Sequence, residues 1–288
     1  MLKPGMMVTL PVVRVAAFGY FLSNGTEDIL LHNREATTTL MPEDEVTVFL
    51  YHDHDNRLSA TMVEPIIKND EIGWLTVVGV KPHHGVFVHN GVSRDLFVSI
   101  DELPTEREAW PAVGDRLFCS LTWDKKGRLM GRLVKGAPVM SQAISADETW
   151  LGREVTGTIY HFLEEGAALF IEDGPIAFLH RDEALGMPRL GQAITGRVQF
   201  VREDGRVNVT ARPLRTEQQK TDANRILHVL QERSGRMPYG DKSTPDVIVS
   251  RFQMSKSAFK RALGKLMKEG KIEQRDGWTY LRDSSTKK

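Results

Sequence analysis

The chain has 288 residues, 41% hydrophobic and 26% charged, with 38 Lys and Arg balanced by 38 Asp and Glu. That length admits several domains, and that composition excludes wholesale disorder. No apolar run approaches the roughly 20 residues a membrane-spanning helix needs. The single cysteine, Cys119, has no partner for a disulfide or for a zinc site, which points to a reducing cytoplasm. The opening MLKPGMMVTLPVV lacks the layout of a signal peptide.

Residues 5–62 read as five short strands: Met7–Val15, Phe18–Leu22, Asp28–His32, Glu45–Tyr51 and Arg57–Met62, the last two flanking a turn at 52–56. Five strands in so short a stretch leave no room for a helical crossover and predict a small Greek-key barrel of the OB type. The pattern returns at Gly73–Lys81, Gly85–His89, Leu96–Ile100 and Arg116–Trp123, with a turn at Lys125-Lys126-Gly127 and a short helical piece expected within 101–114. Residues 133–149 read as a linker. A third copy starts at Leu151 and closes near Arg212-Pro213. The distances from Gly19 to His32, from Gly85 to Val98 and from Ala167 to His180 are each thirteen positions, so the spacing repeats as well as the composition.

After Pro213 the apolar period changes from two to about 3.6. Asp222 is a candidate cap for a helix carrying Ala223, Ile226, Leu227 and Leu230. Thr244-Pro245-Asp246 starts a second helix, with Val247, Ile248 and Phe252 as its expected buried face. Ser255 caps a third, which ends at Gly270 and buries Phe259, Ala262, Leu263, Leu266 and Met267. Its other face carries Lys256, Ser257, Lys260, Arg261, Gly264, Lys265 and Lys268. Lys271–Gln274 and Trp278–Leu281 flank Arg275-Asp276-Gly277, a hairpin, and three helices followed by a hairpin predict a winged helix. The expected fold is mainly β with an α+β C-terminal domain, divided at 1–64, 65–140, 141–215 and 216–288.

Charge follows this division. Basic residues number four against nine acidic in 1–64, ten against nine in 65–140, eight against eleven in 141–215, and sixteen against nine in 216–288. The excess of seven positive charges in the last segment is where attraction for a polyanion should concentrate. Lys256, Lys260, Arg261 and Lys265 can meet phosphates, with Arg275 and Trp278 at the wing.

Each barrel repeat resembles an S1 RNA-binding domain. The tail, with Met237-Pro238-Tyr239-Gly240-Asp241-Lys242-Ser243 and the Ser255-Lys256-x-x-Phe259-Lys260 helix start, is similar to the conserved virulence factor B family of bacterial proteins. The resemblance covers nearly the whole chain. It implies an RNA-binding regulator without a catalytic centre, cofactor or metal.

In S1 domains the RNA-facing positions are two aromatics around a glycine, a histidine ending the third strand, and an Asp and Arg flanking the last turn. The resemblance therefore implies Phe18, Phe21, His32, Asp53 and Arg57 in the first copy. The second retains Phe87, Asp124 and Arg128, with His84 and Val98 in the remaining places. The third retains His180 and Arg206, with Gly166 and Leu169 for the aromatics, Arg202 for the Asp, and Tyr160 and Phe162 nearby as substitutes.

Flat rings, basic donors and an open groove suit single strands, each stacked base contributing on the order of 1–3 kcal/mol. His52-Asp53-His54-Asp55 invites a metal, but alternation along a strand scatters the four, and a turn is the simpler reading. No phosphate loop or nucleophile elbow is present. The expected partner is single-stranded RNA; a winged helix reading duplex DNA and a protein-docking scaffold are the rivals.

Overall fold

The computed structural model describes residues 2–213 and 215–282; the outer limits expected at 1 and 283–288 lie outside them. The chain separates into two compact units, 1–212 and 213–288.

The first unit holds three closed five-stranded barrels with one topology. The first comprises β1 (Met7–Ala16), β2 (Gly19–Ser23), β3 (Asp28–His32), β4 (Glu45–His52) and β5 (Leu58–Thr61). It closes in the order β1-β2-β3-β5-β4, with β3 and β5 parallel. The second uses β6 (Ile72–Lys81), β7 (Gly85–His89), β8 (Leu96–Ser99), β9 (Arg116–Trp123) and β10 (Leu129–Leu133). The third uses β11 (Glu154–Leu163), β12 (Gly166–Phe170), β13 (Ile176–His180), β14 (Ala193–Val201) and β15 (Val207–Thr210). Alternation sends one side of each strand inward: Leu22, Ile29, Leu31 and Val48 fill the first barrel, and Val86, Val88 and Val98 the second. Closure leaves no free strand edge for another chain to pair with.

The glycine that opens the second strand of each barrel is a packing requirement. A Cβ on Gly19, Gly85 or Gly166 would collide with the carbonyl oxygen of Leu31, Val98 or Leu179 on the neighbouring strand. These three are therefore equivalent, and Gly166, rather than Ala167, matches Gly19.

The barrels do not sit apart. Phe49 and Tyr51 of the first join one buried cluster with Leu75, Val92 and Leu96 of the second and with Ile159 and Leu169 of the third. Asp115 and Arg189 pair across the second and third barrels at 3.0 Å. The expected linker is partly ordered: it carries α1 (Ala137–Met140), whose Val139 is fully buried in a second cluster with Phe118, Tyr160 and Phe170. The expected helical piece in 101–114 consists of two single 3-10 turns, Ile100–Glu102 and Arg107–Ala109. Burial pushes the Cys119 thiol up to about 12.

The second unit has α2 (Arg215–Glu232), β16 (Arg236–Met237), α3 (Pro245–Phe252), α4 (Lys256–Lys268), β17 (Ile272–Arg275) and β18 (Trp278–Leu281). Asp222 is a buried residue inside α2 and not its cap, because the helix begins a full two turns earlier. Thr244 precedes Pro245 at the start of α3, and the Ser255 hydroxyl accepts from the Ala258 N–H at the start of α4. Asp276 and Gly277 both take positive φ, the form a two-residue hairpin turn needs. The core joins Ile226, Leu230, Ile248, Phe252, Phe259 and Leu263. Val247 and Met267 are exposed rather than buried, since each lies off the stripe its helix turns to the core.

Candidate nucleic-acid interface

Strand register fixes which residues share the outer corner of each barrel. Gly19 pairs with His32, Gly85 with Ser99 and Gly166 with His180. From the glycine to its cross-strand partner is thirteen positions in the first copy and fourteen in the second and third, so equal spacing matches residues that are not equivalent. Ser99, and not Val98, stands where the other copies have histidine; Val98 is a fully buried core residue. In the third copy Ala168, and not Leu169, takes the place of Phe21 and Phe87, and Leu169 faces the core.

His32, Ser99 and His180 do the same local work. Each ends its strand and accepts a backbone N–H two residues on: His32 Nδ1 from Arg34 at 3.1 Å, Ser99 Oγ from Asp101 at 3.4 Å, and His180 Nδ1 from Asp182 at 3.2 Å. Each bond caps a 3-10 turn and holds the ring or hydroxyl against the sheet.

The last hairpin is equally specific. Asp53 accepts from the Asp55 and Arg57 N–H groups through one oxygen and from the Arg57 guanidinium through the other, at 2.8 Å. Asp124 repeats this with Lys126 and Arg128. In the third copy Arg202 occupies the Asp position and the carboxylate moves to Asp204, which meets Arg206 at 2.5 Å. Partial burial opposes ionisation of Asp53, but hydrogen bonds from Arg57 and Asp55 outweigh it and hold the carboxyl below its ordinary value. For Asp124 and Asp204 the leading cause is itself a hydrogen bond, from the Arg128 backbone and the Arg206 side chain respectively. These aspartates shape the turn and aim an arginine. Asp55 also pairs with Arg57, and His54 meets Arg94, so the His52–Asp55 run is used in contacts of its own.

Two rings meet at this corner in every barrel, but the positions that supply them differ from barrel to barrel. In the first, Phe18 and Phe21 lie 6.1 Å apart edge to face, with the Arg14 guanidinium 3.7 Å above the Phe21 ring. In the second, Phe87 on β7 meets Phe97 on β8 at 5.2 Å. In the third, Phe178 meets His180 at 6.3 Å. Phe97 and Phe178 were absent from the sequence-based set because the S1 pattern places no ring there; Leu30 holds that register position in the first copy. The alternation that puts Phe87 outward, paired directly with Phe97, was the signal that could have found them.

Tyr160 does not substitute for the missing aromatic. Its ring is buried against Phe118 and Phe170, which pack with Trp74 where the second and third barrels meet. Phe162 is half-buried beside that junction, lining a small cleft with His161 and Lys135.

In the second unit, Lys260 and Arg261 project from α4 into solvent, with Lys256 and Lys265 half-buried along it. Among the described residues none of these four makes an ion pair, whereas Arg57, Arg128 and Arg206 of the barrels are all paired. Gly264 lies within this face, and a Cβ there would meet nothing. At the wing, Arg275 is paired with Glu273 at 2.7 Å, and Trp278 is exposed. Among the described residues no cluster of His, Cys, Asp and Glu has a metal-binding layout, and no helix is long and apolar enough to cross a membrane.

Family models match in the same order as the folded parts: "S1 domain" at 4–63, "CvfB first S1-like domain" at 72–132, "Virulence regulatory factor CvfB, second domain" at 139–213, and "CvfB-like winged helix domain" at 224–281. Conserved virulence factor B of Staphylococcus aureus (strain N315) is 31% identical over 290 residues, covering 96% of each chain. The chain belongs to the conserved virulence factor B family. YitL of Bacillus subtilis (strain 168) is 44% identical across 97% of this chain and 94% of its own. A Streptococcus pneumoniae TIGR4 crystal structure, described as a multidomain protein with nucleic acid binding domains, is 32% identical. It superposes with a TM-score of 0.66 over 97% of this chain and 98% of its own. The family's order of S1-type barrels followed by a winged helix is thus the order of this fold.

Proposed function

We propose that this protein is a non-catalytic regulator that binds single-stranded RNA and acts on gene expression after transcription. The observation that carries this reading is the ring pair at the same corner of all three barrels, joined in the second by the hairpin arginine Arg128. Rings half open to solvent accept the faces of unstacked bases whatever their sequence. Duplex DNA keeps its bases stacked inside and offers such rings nothing. The cations of α4, which make no ion pair among the described residues, supply the other requirement, charge for phosphates. The hairpin carboxylates are engaged by arginines, which leaves them unsuited to acid–base work and favours a binding role. The description of the family model matched at 139–213, "Virulence regulatory factor CvfB, second domain", agrees with a regulator.

The competing reading takes α4 into the major groove of duplex DNA, and it rests on the same cations. Titration of the full chain with a labelled single-stranded RNA and with duplex DNA of matching sequence separates the two. The proposal predicts tighter binding to the RNA at every salt concentration from about 50 to 200 mM. Preference for the duplex would overturn it.

A further inference from the structure

A cleft of 480 Å³ lies between the first barrel and the ring pair of the second. Its volume is in the range of small-ligand sites, about 300–1,000 Å³. One wall is Phe87, Phe97 and Met130; the opposite wall is the β4–β5 hairpin of the first barrel, with Tyr51, His52 and Asn56. The walls are tied together. Arg94 reaches His54 at 3.1 Å, the Tyr51 hydroxyl bonds Ser93, and the Trp123 indole donates to the Pro4 carbonyl at 2.9 Å.

The second barrel differs from the first at the residue facing its ring. Arg14 pairs with Phe21 across the strands and covers it, whereas the partner of Phe87 is Gly79, which has no side chain to lay over the ring. Phe87 is thereby left with an uncovered neighbour position, and the cleft opens beside it. Lys81 and Arg128 line the same cleft, and Lys81 has no ion-pair partner among the described residues. Its acidic residues are already engaged, Asp124 by Arg128 and Asp95 by His89. On the far wall the Asn56 side chain makes no hydrogen bond among the described residues, and His52 Nδ1 is buried without a partner. Two rings, a lysine with no ion pair among the described residues, an arginine held in place by Asp124 and an exposed amide together match a nucleotide: a flat base, its phosphate and its polar edge.

We propose that this inter-barrel cleft seats one base of the RNA strand. Phe87 and Phe97 take the base face, Lys81 and Arg128 the adjoining phosphates, and Asn56, exposed on the first barrel's hairpin beside His52, reads the base edge. The inference rests on the RNA reading above and adds a specificity-determining pocket to it. It also gives the acidic first barrel a role that needs no charge, as the wall that closes the site.

The test compares the full-length chain with Phe97→Leu and Asn56→Asp in titrations with single-stranded oligo-uridine, oligo-adenosine and oligo-cytidine. Leucine already occupies the equivalent site in the first barrel, as Leu30, so Phe97→Leu preserves packing while removing the ring. Aspartate tolerates the positive φ of 58° at Asn56 and removes the amide donors. A thermal melt of each variant checks that it folds. Phe97→Leu is expected to weaken binding to all three RNAs by about ten-fold, the loss of one stacked base. Asn56→Asp is expected to change their order of affinity. Wild-type binding to RNA with both variants unchanged would overturn the cleft and leave the RNA reading standing. No binding of any RNA by the wild type would overturn both.

Discussion

At the residue scale, His32 and His180 have two separable duties. Each caps a 3-10 turn through Nδ1 and also presents a ring at the barrel corner. Ser99 performs the capping without the ring. The chain thus carries its own design for an uncoupling mutation. His180→Ser is expected to keep the cap, leaving stability within about 0.5 kcal/mol, as for a surface change. It should remove the ring beside Phe178 and weaken RNA binding several-fold, read by a thermal melt alongside an RNA titration. A large loss of stability with unchanged binding would make the histidine purely structural. The same comparison explains what sequence spacing could not resolve. A one-residue difference in a loop is invisible to a count between two landmarks, and in a strand it exchanges the inward and outward faces. Spacing alone therefore points to Val98 and Leu169, whereas the register selects Ser99 and Ala168.

At the element scale, α4 combines two features that packing within its unit does not explain. Its cations make no ion pair among the described residues, and Gly264 interrupts a strong helical sequence at a position open to solvent. A mid-helix glycine costs about 0.5–1 kcal/mol relative to alanine. Gly264→Ala is therefore expected to stabilise the second unit by about that amount. If α4 lies against a nucleic-acid backbone, the added methyl group also lowers affinity, so stability and binding move in opposite directions. A melt and a titration on the same variant read both, and a gain in both would remove α4 from the interface. The elements themselves were largely legible, because alternation, caps and turn pairs are local. The strand β16 was not: its two residues form a strand only by pairing with β18, more than forty positions away. The start of α2 was missed because its first turns carry few apolar residues to mark the period.

At the scale of the whole molecule, composition and repetition announced the barrels, but not what lies between them. The burial of Tyr160, the ordering of Val139 in the expected linker and the cleft behind Phe87 all arise where barrels meet, and no sequence period encodes that. The charge distribution was legible, and the structure adds that the hairpin arginines Arg57, Arg128 and Arg206 are paired, while among the described residues Lys256, Lys260, Arg261 and Lys265 make no ion pair. On the proposed function, binding has two kinds of contribution, rings in the barrels and charge on α4. The measurement that tests this most directly is the salt dependence of RNA affinity for three full-length proteins: wild type, Phe87→Leu with Phe97→Leu, and Lys260→Ala with Arg261→Ala. For single strands the slope of log K against log salt falls by about 0.7 for each phosphate contact removed. The ring variant is expected to bind more weakly at every salt concentration with the wild-type slope, and the charge variant to lose slope. A ring variant with altered slope, or a charge variant with the wild-type slope, would contradict this.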